Sequence, residues 1–152
     1  MGLSEWICYK KESPNCNDRT EKISKITIHH MAGNLSVEAC CNLLSNPARQ
    51  ASANYCIGSD GRIAGMVDEN KRSWASSSPW NDQRAITIEV ANDELGGNWH
   101  VSDKAYESLI KQCAQTSARF NTACIFSAAA GCRLCPAATS TIWYMATPET
   151  TR

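Results

Sequence analysis

The sequence has no excess of either charge: 15 Lys and Arg balance 15 Asp and Glu over 152 residues. That balance removes the electrostatic case for a nucleic-acid or anionic-membrane partner. There is no run of about 18 apolar residues, so no membrane-spanning helix is expected. The opening Met1-Gly2-Leu3-Ser4-Glu5-Trp6 lacks a basic segment followed by an apolar one, so no secretory signal is expected and synthesis is expected in the cytoplasm. Trp6 also stands where a myristoylation pattern wants Ser or Thr. Histidine is scarce, with only His29, His30 and His100. Cysteine is not, but its count of 9 is odd and its spacing irregular. A complete disulfide framework is therefore not expected, and reduced, mostly buried thiols are. Cys132-Arg133-Leu134-Cys135 is a Cys-x-x-Cys pair, which alone is half of a zinc site.

What is present reads as one compact domain. Residues 1–25 are polar and turn-rich, an extended arm with a turn at Ser13-Pro14-Asn15 and Trp6 and Ile7 as anchors. Ile26-Thr27-Ile28-His29-His30 alternates with period two and reads as a buried strand. Thr27 and His29 share one face, and Ile26, Ile28 and His30 the other. Ser36 is placed to cap a helix from Val37 to about Leu44, which stops before Asn46-Pro47. Two apolar runs flank Asp60-Gly61, a hairpin signal. Residues 68–82 read as a tryptophan-bearing loop. Ala85–Asn92 is a second alternating strand, with Thr87 and Glu89 on one face. Ser102 caps the longest helix, which ends near Phe120-Asn121. The pattern predicts an α/β domain, a mixed central β-sheet flanked by helices. After Asn121 only Arg133, Glu149 and Arg152 carry charge, and no clean periodicity assigns an element. The expected division is 1–121 as the domain and 122–152 as a segment of different character.

Thr27, His29, Tyr55 and Glu89 are polar groups among apolar strand neighbours, expected to face one direction. A carboxylate inside a strand is expensive to bury unless it is paired or functional, although Glu89 also fits a charge guarding a sheet edge. Tyr55 fits core packing as well as catalysis. Trp74 and Trp99 fit packing plugs or platforms for a sugar or peptide.

Several stretches occur together in order. They are Ser13-Pro14-Asn15, Lys25–Gly33 with His29-His30, Ala51–Ile63 with Tyr55 and Asp60-Gly61, Arg72–Ser77 with Trp74, Ala85–Asp93 with Glu89 and Asn92, and Gly97–Asp103. With these motifs, residues 13 to about 118 resemble the zinc-dependent type 2 N-acetylmuramoyl-L-alanine amidases, a class that includes phage endolysins, bacterial autolysins and peptidoglycan-recognition proteins. The resemblance implies a hydrolase of the bacterial cell wall that cuts the amide between N-acetylmuramic acid and the first L-alanine of the stem peptide. It implies Zn2+ as cofactor, His29 as its first ligand, and His30 as a neighbour that is not a ligand. Glu89 is implied as the catalytic carboxylate, Tyr55 as a catalytic tyrosine beside the metal, and Trp74 and Asn92 as substrate-lining residues. In such a site zinc lowers the pKa of bound water to about 7, and a carboxylate moves the water's proton to the leaving amine. The implied partner is peptidoglycan, with no nucleic acid and no membrane. The implied setting is a bacteriophage or prophage enzyme, acting as a monomer that reaches the wall on lysis.

The sequence departs from that pattern after the long helix. The family places a second histidine there, then a cysteine or aspartate, often in Cys-Pro-Gly. Here no histidine follows residue 100, and Cys135-Pro136-Ala137 keeps only part of the last motif. The resemblance leaves Cys135, at the place of the cysteine in that last motif, as the other candidate ligand beside His29, with the second histidine missing. The alternative function is a peptidoglycan-binding module without a complete zinc site.

Overall fold

The computed structural model describes residues 4–96, 99–121 and 123–126. The elements run β1 (Tyr9–Lys10), β2 (Cys16–Asp18), β3 (Lys25–His30), α1 (Val37–Leu44), a 3-10 turn at Pro47–Arg49, β4 (Tyr55–Ile57), β5 (Ile63–Gly65), β6 (Lys71–Ser73), α2 (Pro79–Arg84), β7 (Ala85–Val90), α3 (Asp103–Phe120) and β8 (Ala123–Phe126). Six strands form one sheet in the order β1-β5-β4-β7-β3-β8, and β2 pairs with β6 separately. β3 lies parallel to β7 and β8, and β4 parallel to β7, while β4 and β5 form the antiparallel hairpin. This is the mixed α/β architecture expected from the sequence.

Each face of the sheet carries a helix. Ile26, Ile28, Tyr55, Ile57, Ile86, Ile88 and Val90 pack against Ala105, Leu109 and Cys113 of α3. Cys56, Ala64, Met66 and Val67 pack under Val37, Cys40, Cys41 and Leu44 of α1. Burying an isoleucine or leucine contributes about 2 kcal/mol relative to leaving it exposed, so the isoleucines of β3 and β7 dominate the α3 side.

Both predicted helices start where their caps stand. The Ser36 hydroxyl accepts from Ala39 N at 3.2 Å, and that of Ser102 from Ala105 N at 3.2 Å. Ser102 also donates to Ser59 O at 2.5 Å, tying the start of α3 to the β4–β5 turn. Gly61 in that turn has φ +82, and a Cβ there would lie 2.9 Å from Lys104 O, so both the turn and the approach of α3 require glycine.

Three expectations need correction. The arm of residues 1–25 contains β1 and β2, and Trp6 is exposed while Ile7 packs against the core. Pro79–Arg84 is a helix, not a loop; Ser78 caps it and proline occupies its first turn. The sheet also continues past Asn121, because β8 adds beside β3.

Two polar residues of the arm fasten the connections. Asn15 Nδ2 donates to the carbonyls of Leu44, Asn46 and Ala51 at 3.1, 2.9 and 3.0 Å, closing the end of α1 onto the following loop. Arg19 donates to the carbonyls of Glu69, Lys71, Asp82, Gln83 and Ala85. Burial lowers its pKa to about 10, so it stays charged at neutral pH.

Candidate active site

The register of β3 and β7 pairs His29 with Glu89. In adjacent parallel strands such partners project to the same face, here the face that carries α1. His29 Nδ1 lies 3.8 Å from Glu89 Oε1, and the side chains are 24% and 16% exposed. Both sit at the end of a strand, gripped by the sheet and partly open to solvent. Burial pushes the Glu89 carboxyl up to about 7. Burial likewise lowers the pKa of His29, against a smaller opposing effect of the Asp82 carboxylate. Near neutral pH the pair therefore holds an uncharged imidazole beside a carboxyl poised to gain or lose a proton.

The other expected site residues are distributed differently. His30 projects away from His29, as alternation requires, and its Nδ1 lies 2.8 Å from Asn92 Nδ2. Asn92 was expected to line substrate, but it is 0% exposed. Its amide group donates to Trp99 O at 2.7 Å, so it fastens a loop to the end of β3. Tyr55 was expected beside His29 and Glu89. Its register partner is Ile88, which puts it on the α3 face at 0% exposure. Its hydroxyl donates to Glu69 Oε1 at 2.6 Å and accepts from Ser4 N at 2.9 Å. Burial and the Glu69 hydrogen bond hold its pKa well above the ordinary tyrosine value. The structure thus corrects the placement of Tyr55 in the site. Trp74 lies half-buried on a pocket of 170 Å³ with Arg72, Ser77 and Asp82, its indole N–H donating to Asn17 Oδ1 at 2.7 Å. Cys135 lies outside the described residues.

Sequence reasoning missed Asp82. Its carboxylate accepts from Ala75 N at 3.1 Å and from the Ser76 hydroxyl at 2.5 Å, holding the Trp74–Ser76 segment. The available signal was an acid in the first turn after Ser78-Pro79, which marks a helix start.

Zinc, implied by the resemblance, can be tested against these residues. A neutral imidazole is the ligating form, and His29 meets that condition. All three histidines of the sequence are described, and only His29 stands at Glu89; His100 is exposed and pairs with Asp93 at 2.7 Å. Among the described residues no three His, Cys, Asp or Glu side chains are grouped to hold a metal. The described residues supply one ligand and do not fit a three-ligand zinc site by themselves.

Comparison with known proteins accords with the fold. Residues 19–137 match the profile of the N-acetylmuramoyl-L-alanine amidase family. Among curated proteins no sequence matches the chain. Among solved structures, a selenomethionine derivative of AmpD is similar with TM-score 0.64 and 21% identity, over 80% of this chain and 82% of that one. The N-acetylmuramoyl-L-alanine amidase LysC from Clostridium intestinale is similar with TM-score 0.58 and 19% identity, over 78% and 79%. Drosophila peptidoglycan recognition protein SA is similar with TM-score 0.56 and 19% identity, over 76% and 73%.

Proposed function

The chain belongs to the N-acetylmuramoyl-L-alanine amidase family, and from that membership we propose that it hydrolyses the amide between N-acetylmuramic acid and the first L-alanine of a peptidoglycan stem, with Glu89 as the acid–base group. The observation that supports this reading is the His29–Glu89 pair, 3.8 Å apart at adjacent strand ends. Amide hydrolysis needs a group that accepts a proton from attacking water and returns it to the leaving nitrogen. A carboxyl near pH 7 serves both halves, because neither of its forms is strongly disfavoured at the working pH. Partial burial supplies that poise: the site is dry enough to raise the carboxyl, yet open enough for a substrate to approach. His29, uncharged, offers a ring nitrogen at the same place. A zinc ion there would need ligands beyond His29, and Cys135 is the candidate among the remaining residues. Trp74, on its pocket with Arg72, is the candidate wall contact. The accompanying reading is a monomer of bacteriophage or prophage origin that acts on the wall; no described helix is long and apolar enough to cross a membrane.

The test is release of new L-alanine amino termini from purified cell walls by the intact chain, with added zinc and with a chelator. Glu89→Gln is expected to lower the rate by about 10²–10⁴-fold. No release by the intact chain under any metal condition overturns the hydrolytic reading.

A second reading, a module that binds peptidoglycan without turnover, is favoured by the histidine placements: His30 is taken by Asn92 and His100 by Asp93. One structural neighbour is described as a peptidoglycan recognition protein. Wall pull-down without release of amino termini, unchanged by Glu89→Gln, supports it.

A further inference from the structure

The sheet places a cysteine directly beside the candidate acid–base group. Across β3, β7, β4 and β5 the register runs His29, Glu89, Cys56, Ala64, one residue per strand on the face under α1. Cys56 is fully buried, and Cys40 of α1, 2% exposed, packs onto it. Their sulfurs are 3.2 Å apart. The other described thiols are differently engaged: Cys8 donates to Ile63 O, Cys16 donates to Ser13 O, and Cys113 lies on the α3 face. Cys41 belongs to the same α1-side cluster and Cys16 packs against it, so these two are the competitors for Cys56 among the described thiols.

A disulfide has sulfurs about 2.05 Å apart, so closure of the Cys40–Cys56 pair requires the two side chains to move together by about 1 Å.

We propose that Cys40 and Cys56 are a redox pair that a small hydroperoxide closes into a disulfide, pinning α1 to β4 next to Glu89. The Cys40 thiol, 2% exposed against 0% for Cys56, attacks the peroxide. The O–O bond breaks, an alcohol or water leaves, and Cys40 becomes a sulfenic acid. The Cys56 sulfur then attacks the Cys40 sulfur, the S–O bond breaks, and the hydroxyl departs as water with the Cys56 proton. Two thiols lose two electrons in all, and the peroxide takes them. The proposal stands independently of the hydrolytic reading, since it needs only the packing of α1 on β4.

The full-length chain, reduced and then treated with hydrogen peroxide, would be denatured in an alkylating agent, digested with trypsin and mapped by mass spectrometry. Residues 26–49 carry Cys40 and Cys41, and residues 50–62 carry Cys56, so the expected product is a reducible link between those two peptides. Cys41→Ser should keep the link, while Cys40→Ser and Cys56→Ser should abolish it. The oxidised wild-type chain should melt roughly 5–10 °C above the reduced one, a readout that needs no variant. Absence of the link while other thiols oxidise, a link that survives Cys40→Ser, or an unchanged melting temperature overturns the proposal.

Discussion

Glu89 concentrates the consequences of burial on one atom pair. Its carboxyl titrates at about 7 in the folded chain, against about 4.3 in an open peptide. The folded state therefore holds this proton more tightly than the unfolded state. No cost arises below about pH 4, where both forms are protonated; the cost grows as pH rises and is complete above about pH 7. Glu89→Gln, measured in a chelator, should thus stabilise the chain by about 2–3 kcal/mol at pH 8 and by almost nothing at pH 4, as paired thermal melts would show. On the proposed role of Glu89 as the base, which must be ionised to act, wall hydrolysis should rise with pH through about 7. Tyr55→Phe should do the reverse of Glu89→Gln. It removes the hydroxyl between Ser4 N and Glu69, costing about 2 kcal/mol by denaturant melt, while wall hydrolysis per folded molecule stays unchanged. The positions of His29 and Glu89 were legible because alternation within each strand and the matching motifs agreed. Tyr55 was not, because period two orders the faces within one strand only. Which face of β4 coincides with which face of β7 depends on register, and Tyr55 pairs with Ile88 rather than Glu89.

Elements with strong local signals formed as read. α1 and α3 have a capping serine, an acid in the first turn and an apolar stripe, and each begins at the residue after its cap. Ser102→Ala should cost about 1 kcal/mol from the lost cap alone. The broken bond to Ser59 O adds to it, so its denaturant midpoint should fall further than that of Ser36→Ala. α2 escaped because six residues make fewer than two turns, too few for a helical period to show, and Pro79–Arg84 carries no apolar stripe. The short pairing of β2 with β6 escaped for the opposite reason. Its strands, Cys16–Asp18 and Lys71–Ser73, are polar and form only because distant segments meet. Arg19 governs that meeting. Arg19→Ala strands five carbonyls and should destabilise the chain by about 3 kcal/mol or more, measurable as a lowered denaturant midpoint with the slope unchanged.

For the molecule as a whole, the sheet is the rigid body and the site lies at the ends of two of its interior strands. Ile26, Ile28, Ile57, Ile86 and Ile88 are nearly or wholly inaccessible, and helices cover both sides of their strands. Hydrogen exchange should find the slowest amides in β3, β4 and β7, and faster ones in β2 and β6. The fold class was legible because strand, helix and hairpin signals came in an order that allows few layer arrangements. The change of composition after Asn121 was legible too, but it did not mark where the sheet ends. Ala123–Phe126 is too short to announce itself and gains its place by pairing with β3.

The acceptors around Arg19 are peptide oxygens, not carboxylates, and peptide oxygens do not take up protons at any pH the protein meets. Acid that neutralises carboxylates leaves those five dipoles unaltered. The junction of β2, β6 and α2 is accordingly built like a coordination sphere around a permanent organic cation, and those five bonds should outlast, as the solution is made sour, the contacts that carboxylates make around them.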